Sequence, residues 1–224
     1  MANILSSFYH DIVNIIFPNN CAICNQLVAE NQNCICTRCF SNFKPTGLEN
    51  WIDNLRIAAG IDAVYSAWFA TGSVKDIIYS IKYHNQPRLG EELGRRIAAE
   101  IPIDELDEID TITAVPLNST RKRERGYNQS EWICRGLSKA WGIPYQNNLI
   151  KRIKYTHTQT DLNAKERKEN MTNAFSFRRE VDSLSVVIVD DVITTGATLS
   201  ACAVEIRRSG AKKVTGVSCC TPLL

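Results

Sequence analysis

Apolar and polar positions along the chain fall into three kinds of run. Val186–Val189 is an unbroken apolar stretch with no alternation, as in a parallel strand covered on both faces. Ala63–Phe69, Thr111–Val115 and Val214–Ser218 read as further strands, and Leu149–Ile153 as a possible fourth. Helical spacing appears in Ser73–Tyr83, where Val74, Ile77, Ile78 and Ile81 share one face. It recurs in Leu89–Ile101, stopped by Pro102, in Gln129–Trp141, and in Ala197–Arg208, where Arg207, Arg208 and Gly210 suit a helix end. Strands alternating with helices predict an α/β domain with a mostly parallel, Rossmann-like sheet. Leu5–Phe17 reads as a short amphipathic helix ended near Pro18. The 21 residues Tyr155–Phe175 carry few large apolar side chains, an unusual length for a loop without function.

The end of the Val186–Val189 strand carries the chemistry. Asp190 and Asp191 follow it, at the carboxyl edge where open α/β sheets place ligands, and Ile193-Thr194-Thr195-Gly196-Ala197-Thr198 leads into a helix. Thr194, Thr195, Gly196, Ala197 and Thr198 offer hydroxyls and backbone N–H groups at a helix N-terminus, which suits a phosphate. The carboxylates would repel that phosphate but match the hydroxyl donors of a ribose. Neither a Walker A pattern nor G-x-G-x-x-G occurs.

Cysteine usage adds a second module. Cys21 and Cys24 form one C-x2-C pair, and Cys36 and Cys39 another, with eleven residues between. Two such pairs suit a tetrahedral structural Zn²⁺ site, and the segment has too few apolar residues for a core of its own. Cys34 rivals Cys36 as a ligand. Cys134, Cys202, Cys219 and Cys220 fall in apolar patterns and read as buried small hydrophobes. Nine cysteines, an odd number, together with an N-terminus lacking a basic region and a cleavage site, lead us to expect a cytoplasmic protein. No apolar run approaches the ~18 residues of a membrane span, so no stable membrane insertion is expected.

Charge sharpens the picture. The net value is only +2, but residues 111–180 hold 14 Lys and Arg against 6 Asp and Glu, whereas residues 42–110 hold 7 against 12. A basic centre beside a phosphate loop implies an anionic partner larger than one phosphate. Arg121, Lys122, Arg123 and Arg125 read as part of a loop directly after a strand end, and arginine suits phosphate oxygens. The compact Arg125-Gly126-Tyr127-Asn128-Gln129 run is a candidate for pyrophosphate. Lys82 and Arg88 flank the turn after Ser73–Tyr83 and could reach an anion, or simply match a helix end. His84 reads as a turn residue rather than a catalytic base, with the base as the alternative. Tyr127, Trp132, Tyr155 and Phe175 are candidate stacking rings for single-stranded DNA.

The Asp-Asp-x2-T-T-G-x-T run resembles the 5-phosphoribosyl-1-pyrophosphate (PRPP) loop of type I phosphoribosyltransferases. That resemblance implies ribose binding by Asp190 and Asp191, 5′-phosphate binding by Thr194–Thr198, Mg²⁺ accompanying PRPP, and a flexible lid over 155–175 with His157, Gln159, Arg167 and Asn170 as contacts. Taken with the cysteine pairs, K-Y-H-N-Q-P-R-L, V-P-L-N-x5-R-E-R-G-Y-N-Q and H-T-Q-T-x-L-x4-R-x2-N, the chain resembles the ComF (ComFC) family of competence proteins along nearly its whole length. The implied organisation is an N-terminal helix and zinc-finger module over 1–44 and a type I phosphoribosyltransferase-like domain over 45–224, divided into a hood-like segment (45–110) and a core (111–224). The implied role is natural transformation: DNA uptake, with single-stranded DNA, PRPP and other transformation proteins as partners. The alternative is an active phosphoribosyltransferase of nucleotide salvage or modification. No residue set in the sequence marks an acceptor-base pocket or a catalytic group.

Overall fold

The computed structural model describes residues 19–28, 34–147, 149–152 and 181–222, with the backbone alone of 175–177. The expected helix over 5–17 and the expected lid, including Gln159 and Arg167, lie outside the described residues. The described elements are α1 (Thr37–Phe40), β1 (Ala63–Phe69), α2 (Gly72–Tyr83), α3 (Pro87–Glu100), β2 (Thr111–Ala114), α4 (Ser119–Arg125), α5 (Gln129–Trp141), β3 (Ile150–Arg152), β4 (Phe175–Phe177), β5 (Ser185–Val192), α6 (Ala197–Arg208) and β6 (Lys213–Thr221).

β1, β6, β5 and β2 form, in that order, one wholly parallel sheet, and β3 pairs antiparallel with β4 apart from it. The parallel α/β architecture read from the sequence is therefore the one observed. The unbroken apolar run in β5 has its cause in this layering. Val187 and Val189 face one core, with Leu93, Ile97, Ile133 and Leu137 from α3 and α5. Val186 and Ile188 face the other, with Leu199, Cys202 and Ile206 from α6. β5 and β6 lie between neighbours on both sides, so their polar ends are held at fixed height. β6 runs three residues beyond the expected Ser218, because Cys219 and Cys220 are fully buried and continue the ladder. β1, drawn from the 45–110 segment, pairs with β6 in this same sheet.

The basic run after β2 departs from the expected loop. Asn118 accepts a hydrogen bond from Thr120 N at 2.9 Å, capping a two-turn helix, α4, that ends at Gly126 in the left-handed conformation. Asn128 then caps α5 through Ser130 N at 3.1 Å and ties the turn to β2 through Val115 O at 3.0 Å. Among the described residues no helix is long and apolar enough to cross a membrane.

α3 and α5 cross in close contact because small residues face each other. A methyl group placed on Gly136 would lie 2.0 Å from Glu91 O and 2.8 Å from Gly94 Cα. α3 also carries the cysteine module. Glu92, 1 % exposed, accepts from the backbone N–H of Cys34 and from Arg96 Nε at 2.9 Å. Arg96 in turn donates to Ile35 O at 3.1 Å and stacks on Phe40, which packs with Phe43 and Trp68. The module thus borrows its core from the larger domain.

Candidate functional site

β5 delivers Asp190 and Asp191 to the carboxyl edge of the sheet, one on each side of the strand. Asp191 is buried and held through one oxygen: Lys82 Nζ lies 2.6 Å from its Oδ2, and Gln129 Nε2 donates to the same oxygen at 3.2 Å. Lys82 comes from the last turn of α2 and Gln129 from the first turn of α5. Gln129 also accepts from Arg125 Nη1 at 3.1 Å. The chain Arg125–Gln129–Asp191–Lys82 therefore joins the basic helix to the acidic pair.

Asp190 accepts from Ser130 Oγ at 3.3 Å and from the N–H of Asp191 at 2.9 Å. Burial, and next the neighbouring Asp191 charge, push its carboxyl up to about 7, against the pull of those hydrogen bonds and of Lys82. Arg152 sits near enough to feel the Asp190 charge, and burial lowers its own affinity for a proton. Neither Ser130 nor Arg152 stands out in the sequence.

The loop after the acids is rigid for a readable reason. Gly196 has φ of +78°, and a Cβ there would lie 2.3 Å from Ile57 O, so conformation and space both require glycine. Ile57 N donates to Thr195 O at 3.0 Å, tying the loop to the segment before β1. Thr194 and Thr195 are exposed, and α6 starts at Ala197, whose N–H donates to Thr195 Oγ1 at 3.4 Å, while the N-cap residue Gly196 has no side chain to offer. The two hydroxyls can donate to an oxyanion, and an oxyanion at the helix start would compete with Thr195 Oγ1 for the Ala197 N–H.

Other sequence candidates are distributed differently. Arg121, Arg123 and Arg125 line one open cleft with Lys82 and Tyr83. Tyr127 spends its hydroxyl on Ile81 O. Asn128 is buried in its capping role. Arg88 instead lines a cleft against the cysteine module, with Cys34 and His84, away from the Asp190–Asp191 set.

In that module the Sγ atoms of Cys21, Cys24, Cys36 and Cys39 lie within 4.8 Å of one another, and Cys24 and Cys36 are 3.8 Å apart. Four thiolates around one tetrahedral metal at ~2.3 Å would stand roughly 3.8 Å apart, so the residues present fit such a metal. Burial raises the Cys21 thiol, but N–H groups of Cys24, Cys36 and Ile23 outweigh it and bring the thiol down to about 6. Cys34 is outside the cluster. Burial and the Glu92 carboxylate push its thiol up to about 11.

No protein-family model matches the chain. Among curated proteins it is similar to competence protein F of Haemophilus influenzae, 36% identical over 145 residues covering 62% of this chain and 63% of that protein. It is also similar to the DNA utilization protein YhgH of Salmonella typhimurium, 35% identical over 142 residues covering 62% and 63%. Competence protein ComFC of Streptococcus pneumoniae is 26% identical over 204 residues, covering 84% of this chain and 88% of that one. The matched region thus spans less than two thirds of the first two relatives. Among solved structures, the allosteric regulatory enzyme of purine biosynthesis overlaps 58% of this chain and 25% of its own, with 26% identity and a TM-score of 0.39. The glutamine PRPP amidotransferase of B. subtilis overlaps 57% and 25%, with 25% identity and a TM-score of 0.39. The chain is a relative of the competence protein F and ComFC proteins, as its motifs led us to expect.

Proposed function

We propose that this chain is a ComF-like protein of DNA uptake that binds PRPP in the β5–α6 loop and single-stranded DNA on its basic face. The observation that carries the PRPP reading is the order of groups along one rigid edge. Two carboxylates stand at the strand end and a glycine-locked hydroxyl loop stands at the α6 N-terminus, with Lys82 and Arg125 on the flank. The carboxylates suit the 2′- and 3′-hydroxyls of the ribose as acceptors. Thr194, Thr195, Thr198 and the N–H groups of Gly196 and Ala197 suit the 5′-phosphate as donors. Arg125 and its neighbours suit the pyrophosphate. Mg²⁺ bound with PRPP would supply charge neutralisation to the pyrophosphate, as its preference for hard oxygen ligands favours. Zn²⁺ would be held by Cys21, Cys24, Cys36 and Cys39, in a structural role.

The DNA reading is supported by the excess of cations in residues 111–180, by the exposed Arg121 and Arg123, and by relatives named for competence and DNA utilization. Such binding should weaken steeply with salt. The complete Asp-Asp and T-T-G-x-T set favours a second reading, an active phosphoribosyltransferase. A pyrophosphate-release assay across nucleobases, with and without single-stranded DNA, separates the two.

Calorimetry tests the site itself. PRPP with Mg²⁺ should bind the wild-type chain, and Asp191→Asn should lose about tenfold or more, since a charge-assisted hydrogen bond to ribose contributes roughly 1.5–3 kcal/mol. Equal affinity in the variant refutes the ribose role.

A further inference from the structure

The exposed face of α2 carries two large rings that the fold does not use. Tyr79 and Tyr83 are 56% and 60% exposed, one turn apart, with ring centroids 4.7 Å from each other. Packing of α2 is done by Val74, Ile77, Ile78 and Ile81 on its opposite face. Beside the rings stand cations. Arg125 lies 5.3 Å from the centre of the Tyr83 ring, and Tyr83 shares an open cleft with Lys82, Arg121, Arg123 and Arg125, against the single acid Glu124. Of the four aromatic candidates suggested by sequence, Tyr155 and the Phe175 side chain lie outside the described residues, and Tyr127 and Trp132 are less available. Tyr127 is anchored through its hydroxyl, and both side chains are half-buried.

We infer that Tyr79 and Tyr83 form a base-stacking platform on which single-stranded DNA lies, its phosphates following the Arg121–Arg125 helix into the cleft. This inference rests on the DNA-binding part of the proposed function and assigns it a surface. Exposed rings next to a row of cations match a polymer that alternates flat apolar bases with phosphates. Duplex DNA, whose base faces are already stacked, does not offer the same match. A protein partner would have to bring carboxylates in the same alternation.

The test compares fluorescence anisotropy of two labelled strands of equal length and charge: oligothymidylate and an abasic deoxyribose-phosphate strand. Wild type should prefer the strand with bases. The double variant Tyr79→Ala, Tyr83→Ala should lose roughly five- to a hundredfold for oligothymidylate per base unstacked. Its affinity for the abasic strand and its slope of log K against log salt should stay as in wild type. The double variant Tyr79→Phe, Tyr83→Phe should behave as wild type. Arg121→Ala with Arg123→Ala should instead weaken both strands and reduce the salt slope by about 0.7 per cation. Both tyrosines are solvent-facing, so the alanine variants should keep the wild-type melting temperature.

Unchanged oligothymidylate binding in the alanine variant overturns the platform while leaving the DNA reading intact. Equal loss on both strands overturns stacking as the mechanism. Wild-type protein that binds neither strand at low salt overturns both the platform and the DNA reading.

Discussion

Gly136→Ala sets two well-known effects against each other. In an α-helix, alanine is favoured over glycine by about 1 kcal/mol, so propensity alone predicts a more stable protein. At this position the added methyl carbon would sit 2.0 Å from Glu91 O, 2.8 Å from Gly94 Cα and 2.9 Å from Arg95 N, all backbone atoms that no rotamer change can move. Ordinary contact needs roughly 3.5 Å, so α3 and α5 would have to part by more than 1 Å. A gap of 0.5–1 Å already forfeits about a quarter to a half of each contact's attraction. The seam that opens is lined by Leu93, Ile97, Ile133 and Leu137, each fully buried. Overpacking of this kind costs about 1–3 kcal/mol, and more where backbone must move. Because backbone atoms must move here, the upper part of that range, about 2–3 kcal/mol, applies, and subtracting the propensity gain leaves a net loss of about 1–2 kcal/mol. For a chain of this size that is a fall in Tm of roughly 2–8 °C. Thermal melting by circular dichroism or calorimetry reads the sign directly. A Tm that rises with Gly136→Ala refutes the claim that this crossing is limited by backbone contact. Gly94→Ala, whose Cβ would meet Ile133 O at 2.1 Å, should fall likewise. The double variant should cost less than the sum, because one separation relieves both.

Two further outcomes follow. Purified Cys34→Ser should retain about one metal per chain by elemental analysis, whereas Cys36→Ser should lose it and melt less cooperatively. Metal kept by Cys36→Ser and lost by Cys34→Ser would reverse the ligand assignment. The second concerns pH. Because the folded protein holds a proton on Asp190 up to about 7, that group's contribution to stability is complete below the unfolded carboxylate value, near 3.8, and is lost as pH rises through 7. A ribose hydroxyl bonds more strongly to the ionised carboxylate than to the neutral acid. PRPP affinity should therefore rise from pH 6 to 8 with release of a proton, seen as a binding heat that depends on the buffer's ionisation enthalpy. A buffer-independent heat at pH 6.5 would exclude the coupling, and Asp190→Asn should abolish it.

Much of the frame is legible in the sequence because burial on both faces leaves an unmistakable mark. Val186–Val189 reads as a central strand, and the placement of Asp190 and Asp191 at its end follows from that alone. The paired spacing of Cys21, Cys24, Cys36 and Cys39 is local and equally readable. Three things resist. The Arg121–Arg125 run reads as loop because its charge hides a helix started by Asn118. Glu92 reads as a surface acid, since nothing local reveals that the backbone of Cys34 and the side chain of Arg96 will cover it. The approach of Lys82 and Gln129 to Asp191 joins residues from three distant elements, and only the packing of α2 and α5 against the sheet edge makes it. Tyr79 and Tyr83 were within reach: once Val74, Ile77, Ile78 and Ile81 are assigned inward, a 3.6-residue period turns both tyrosines to solvent.

The row of contacts from Tyr83 through Arg125 and Gln129 to Asp191, closed by Lys82, gives the proposed DNA surface and the proposed sugar site shared side chains. A sugar drawing on Asp191 would loosen its hold on Gln129 and Lys82, and a phosphodiester drawing on Arg125 would do the same from the other end. Two ligands that reset one set of partners are thermodynamically linked. Whatever factor PRPP imposes on the affinity for DNA, DNA must impose in equal measure on the affinity for PRPP.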